Sequence, residues 1–123
     1  MRGSTNADVM TTDTSTALAG KQDKLTPEYV QNWTTDITLD TNYSNVERYG
    51  KILIINIVNA TIPAGDSLLI GNLPTIKGAV RGALFNGTSV IGWYANDGWT
   101  GVRIYNGGSS ASGLYGQIIL ILA

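Results

Sequence analysis

The chain contains no cysteine and no histidine. Without thiols, disulfides, thiolate zinc sites and cysteine nucleophiles are excluded, and the redox compartment stays open. Without imidazole, the commonest general base and the commonest transition-metal ligand are gone, so no Ser-His-Asp arrangement can form. Neither a metal nor another cofactor is expected. Charge is sparse as well: 14% of residues are Asp, Glu, Lys or Arg, against about 25% in ordinary soluble domains. Eight basic and nine acidic residues leave a formal net charge of −1, so no field points to nucleic acid or to an anionic membrane. No apolar run approaches the roughly 20 residues a spanning helix needs. The N-terminus lacks the apolar segment of a secretory signal, which points to a soluble product made in the cytoplasm.

What is present is aliphatic and turn-forming. Hydrophobic residues make up 43% of the 123 positions, enough for one core and too few for two domains. The strongest strand signal is Ile52, Leu53, Ile54, Ile55, Ile57 and Val58, a mostly β-branched run interrupted only by Asn56. Ile62-Pro63-Ala64-Gly65-Asp66 then reads as a corner, residues 67–70 as a second short strand, and Leu73-Pro74 as a stop.

Residues 1–31 differ in character. Met1-Arg2-Gly3-Ser4 resembles the start of an expression tag, with natural chain expected upstream, and residues 4–20 are rich in Thr, Ser, Asp and Ala with little to bury. Residues 17–25 suit a helical turn or two, and Pro27 would end that helix or begin another. The expected division is a linker or stalk over 1–31 and an all-β domain over 32–123, an antiparallel sandwich. Residues 32–40 alternate Trp33, Ile37 and Leu39 with polar neighbours, as a half-buried strand does. Residues 77–83, interrupted by Gly78 and Gly82, read as a weak strand or an irregular edge.

Asn86-Gly87 and Asp97-Gly98 are dipeptides suited to two-residue hairpin loops. With Asp97-Gly98 as the loop, Trp93 faces Val102 and Ile91 faces Ile104 on one apolar face, while Tyr94, Arg103, Tyr105 and Val90 share the other. The last strand, residues 114–123, is apolar on both of its faces. No amphipathic helix remains to cover the outer one, so the sequence implies that another copy of the chain does. Ile52, Ile54, Leu114, Ile118, Leu120 and Leu122 are the candidates for that interface, with the face that meets the neighbour left open.

The order YGKILIINI, IPAG, SLLIGNLP, GVRIYN and GLYGQIILIL, preceded by ALAGKQDKLT, resembles the C-terminal head domains of tail-fibre and receptor-binding (baseplate) proteins from phages and prophages of Gram-positive bacteria. The resemblance runs from about Ala17 to the C-terminus. It implies a jelly-roll-like head assembled as a parallel homotrimer at a virion tail tip or baseplate, joined to other tail proteins through its N-terminal region. It also implies non-catalytic adhesion to host cell-wall polysaccharide or teichoic acid, without membrane insertion. The family has no fixed binding motif, so no site residue transfers by pattern.

Saccharide binding calls for an aromatic face against the sugar's C–H surface and planar polar groups for its hydroxyls. Tyr94, Asn96, Asp97, Trp99, Arg103 and Tyr105 supply that mixture around one hairpin. The competing reading has Trp99 capping the end of the fold and Tyr105 packing between subunits. Arg81 and Arg103 suit a phosphate-bearing polymer, or an acid partner within the protein. Asp36, Asp40, Glu47, Asp66 and Asp97 are scattered over turns and strand ends, where acids commonly form turns, and no catalytic pair is expected among them. Two other roles remain open: a trimerisation cap or baseplate spacer without a receptor site, and a trimeric ligand of the tumour necrosis factor or complement globular-head type.

Overall fold

A computed structural model describes residues 27–30 and 32–123. Most of the linker or stalk, its possible helix and the tag-like start lie outside the described residues. Among the described residues, eight strands are formed: β1 (Glu28–Tyr29), β2 (Asn45–Tyr49), β3 (Ile52–Ile62), β4 (Gly65–Ile70), β5 (Val80–Phe85), β6 (Val90–Ala95), β7 (Val102–Asn106) and β8 (Ala111–Ile121). All pairs are antiparallel, in the order β1-β2-β3-β8-β5-β6-β7-β4. The all-β expectation is met. The strands form one continuous curled sheet, because β8 pairs with β3 on one side and β5 on the other. Pro27 opens no helix; the two residues after it pair with β2 as the edge strand β1.

The curl follows from local chemistry. Tyr49 pairs with Ile52, leaving Gly50-Lys51 as a two-residue loop. Gly50 has φ +62°, the conformation that the first central position of such a loop demands. Farther along β3, Leu53, Ile55 and Ile57 face inward, and then Ala60 and Ile62 do, so the inward parity changes between them. The register with β8 shifts there, and Asn59 has φ +52°. Asn tolerates that region better than most residues, and a bulge of this kind bends its strand. Buried Ser44 serves the irregular backbone, its Oγ accepting from the Val58 N–H at 3.0 Å. Beyond Ile62, proline cannot extend the ladder, and β4 leaves β3 to pair with β7 at the far edge.

Residues 32–40 form no strand. They cross between the far edge and β3 by single bridges, Thr34 to Gly71 and Thr38 to Thr61. Thr34 and Gly71 exchange both backbone bonds, and the Thr38 carbonyl accepts from Thr61 at 2.8 Å. Ile37 is buried, with Trp33 and Leu39 packed against the core. The alternation reflects that packing, so this segment helps to close the curl.

The core is the inner face of the whole sheet. Leu53, Ile55, Ile62, Leu84, Ile104, Leu114, Ile118 and Leu120 are fully buried in it. Residues 80–85 form a regular strand paired along its whole length with β6, so the expected weakness is not found, while on the other side only Phe85 pairs, with Tyr115 of β8, and most of that side is the expected edge. Gly82 is required, since a Cβ there would lie 2.2 Å from Cζ2 of Trp93, whose indole crosses the strand at this point.

Four of the expected interface residues are relocated by the same alternation. Leu114, Ile118, Leu120 and Leu122 are at most 1% exposed, because they point into the curl of their own chain. The outward residues of β8 are Tyr115, Gln117, Ile119 and Ile121. On β3, Ile52 lies on the outer side and Ile54 is half-buried there. Ile54 lies between Glu47 and Ile119, and Ile52 between Tyr49 and Ile121. Beside them runs an amide ladder: Gln117 Nε2 donates to Asn56 Oδ1 at 3.0 Å, and Asn56 Nδ2 donates to Asn45 Oδ1 at 2.9 Å.

Candidate functional site

The candidate site lies on the outer face at one end of the sheet, where β6, β7 and β4 are neighbours. Arg103 on β7 is opposite Tyr94 on β6 and Leu68 on β4. The expected faces are found here, but the register is not. Trp93 pairs with Ile104, where a two-residue loop would put Val102. The shift is two residues, so every side chain keeps its face. Its cause is a wider loop anchored to the preceding segment. Leu73 N–H donates to the Thr100 carbonyl, Ile76 N–H to the Trp99 carbonyl and Gly98 N–H to the Ile76 carbonyl, each at 2.8 Å. Asn86-Gly87 also departs from a two-residue loop. Phe85 pairs with Val90, and Asn86 Oδ1 accepts from the Thr88 and Ser89 backbones at 2.8 and 2.7 Å.

The centre of the site is Asp66, near the start of β4. Its Oδ2 accepts a 2.7 Å hydrogen bond from the Tyr94 hydroxyl and a 3.4 Å bond from Arg103 Nε. The pair is more than one-third exposed at both ends, so it orients the guanidinium more than it stabilises the fold. The bond to Asp66 raises the Tyr94 phenol above its ordinary pKa, with burial and the carboxylate's charge adding and Arg103 opposing. For Arg103, burial pulls downward, but the charges and hydrogen bonds of Asp66 and Tyr94 together raise it above its ordinary value.

Two further groups flank Tyr94. The Arg81 guanidinium lies 5.6 Å from the ring centroid, within the range of cation–π attraction. It is fixed by bonds to the Ala95 carbonyl at 2.9 Å and Asn96 Oδ1 at 3.0 Å. The Trp99 ring lies 5.8 Å from Tyr94 at 58°, a tilted aromatic pair. Beyond it opens a cleft of about 480 Å³, lined by Trp99, Arg103, Asn72, Thr100, Gly101 and the stem of Leu68. One wall is indole, one is a held cation, and the rest is amide, hydroxyl and backbone.

Of the six residues expected to bind saccharide, Tyr94, Asn96, Trp99 and Arg103 are brought together. Asp97 is occupied in tying its loop to the segment before β5, its Oδ1 accepting from the Gly78 N–H at 2.7 Å. Tyr105 points to a separate cleft of about 360 Å³ beside the 106–109 loop. Asp66, Asn72 and Thr100 are not among the binding residues expected from the sequence. Asp66 lies 37 positions from Arg103 in the chain, and only the placement of β4 beside β7 unites them. Among the described residues, no three acidic side chains gather as a metal site. Compared with family models, with curated proteins and with solved structures, the chain matches none.

Proposed function

We propose that this domain is the receptor-binding head of a phage or prophage tail fibre or baseplate, and that it grips a host cell-surface saccharide without chemical turnover. The observation that carries this reading is the cleft where the Trp99 indole, the Arg103 guanidinium and the Asn72 amide meet. An indole face takes a sugar's C–H surface, while guanidinium and amide take its hydroxyls or an attached phosphate or carboxylate. Cell-wall polysaccharide and teichoic acid both offer that combination.

The finer architecture belongs to the same proposal: a jelly-roll-like head in a homotrimer, joined upstream to other tail proteins and exposed at the virion tip. Ile52, Ile54, Ile119 and Ile121 form the face that meets the neighbouring copy. Three copies per tip let weak single sites add up to firm attachment.

Pull-down on purified Gram-positive cell walls tests the reading. The native head is retained and Trp99→Ala is lost to the supernatant; a native head that stays in the supernatant with every wall fraction refutes it. The outer isoleucine face favours a second role, a trimerisation cap or spacer, which predicts self-association with no wall retention.

A further inference from the structure

We infer that the separate cleft at Tyr105 is a second, uncharged sugar subsite, and that it and the Trp99–Arg103 cleft together hold one polymer along the outer face of β7. This rests on the saccharide reading above and extends it to the class of ligand: a polysaccharide in which a charged unit is next to a neutral one. Three observations support it. Arg103 and Tyr105 are next-but-one on the same strand, so they share a face with their Cα atoms about 6.6 Å apart. The two clefts are therefore neighbours, within reach of a chain a few sugars long.

The second cleft has the composition of a neutral subsite. Tyr105 is 59% exposed, and its ring leans over the 106–109 loop, with Cε1 3.4 Å from where a Gly107 Cβ would be. On the β6 side the residue opposite it is Gly92, which carries no side chain to fill the space there; on the β4 side it is Asp66, whose carboxylate is taken up by Tyr94 and Arg103. The remaining walls come from Ser89, Val90, Ser109 and the loop backbone, with no charged residue among them. The loop is held in shape from beneath: buried Asn106 donates through Nδ2 to the Ile62 carbonyl at 3.1 Å and the Ser109 carbonyl at 2.8 Å, and accepts from Gly108 N–H at 3.0 Å. A preformed loop loses little freedom on binding. The asymmetry between the clefts sets the order of the ligand, with an anionic group at Arg103 and an uncharged ring on Tyr105.

The test titrates the full chain, followed by isothermal calorimetry, with two probes: glucose 1-phosphate, and size-fractionated fragments several repeats long of a phosphate-bearing wall polysaccharide. Tyr105→Ala is expected to weaken the long fragments about tenfold and to leave glucose 1-phosphate within about twofold, whereas Arg103→Gln weakens both. Tyr105 is exposed, and an unchanged melting temperature verifies that the variant folds. Equal affinity of native and Tyr105→Ala protein for long fragments overturns the second subsite while leaving the first intact. Equal weakening of both probes by Tyr105→Ala also overturns it, by making Tyr105 part of the first cleft. Failure of the native protein to bind either probe overturns both this inference and the saccharide reading.

Discussion

Two regions of the sheet, its β3–β8 middle and its β6–β7–β4 end, have the same inner face and different outer ones. Inside, β3 and β8 present Leu53, Ile55, Ile118 and Leu120, and β7 presents Val102 and Ile104; all are buried aliphatics of one core. Outside, the β3–β8 region carries Ile52, Ile119, Ile121 and Tyr115, each 42 to 54% exposed, crossed by an uncharged amide ladder. The β6–β7–β4 end carries Tyr94, Arg103 and Asp66 joined by hydrogen bonds, with clefts beside them. A contiguous aliphatic surface gains most from being covered by another apolar surface. A cleft with an oriented cation and aromatic walls gains most from a small polar ligand. Period-two alternation lets one sheet carry both kinds of surface without disturbing its core.

The sharpest way to break that division is to put a charge on the aliphatic region. Ile119→Asp is expected to abolish self-association, since an uncompensated carboxylate buried at an interface costs about 3–5 kcal/mol. Sedimentation should show the loss of the oligomer, while affinity for a soluble glycan fragment is unchanged. The next contrast is between adjacent residues of β8. Leu120→Ala should destabilise the fold by about 2–5 kcal/mol in a denaturant titration, by leaving a cavity. Ile121→Ala, one position on and outward, should cost about 0.5 kcal/mol or less in the dissociated chain.

Smaller effects sharpen the other region. Trp99→Ala should weaken glycan binding about tenfold, near 1.4 kcal/mol, with unchanged sedimentation. Asp66→Asn should lower the Tyr94 titration toward the ordinary phenol value of 10.0, because the hydrogen bond that raises it loses its charged acceptor. The sign follows from linkage: a raised phenol pKa contributes stability that is present below the unfolded value and lost as pH rises through the folded one. Ring-carbon signals of labelled tyrosine would follow this site separately from Tyr49, which Glu47 raises in the same way.

The sequence shows the strands better than their faces. The isoleucine run of β3 and the alternation through β6 and β7 are legible because β-branched residues and period two are local signals. Which face of β8 turns inward is not, since both faces are apolar; the pairing with β3 decides it, placing Leu120 and Ile118 beside the buried Leu53 and Ile55. The hairpin register is missed by two because the 96–101 loop is tied to Leu73 and Ile76. Residues 32–40 look like a strand because Trp33, Ile37 and Leu39 do pack inward, yet no continuous partner ladder is available to them. Four site residues are visible as a hairpin cluster. Asp66 and Asn72 are not, because β4 reaches β7 only through the order of the sheet.

The central claim is that ligand and neighbouring copy use different regions of the outer surface. Chemical-shift mapping of the isotope-labelled protein with fragments of wall polysaccharide tests it directly. The account predicts that the Trp99 indole and Arg103 Nε signals move while the backbone signals of Ile52, Ile119 and Ile121 stay in place. Movement confined to Ile52, Ile119 and Ile121, with Trp99 and Arg103 unmoved, would contradict it.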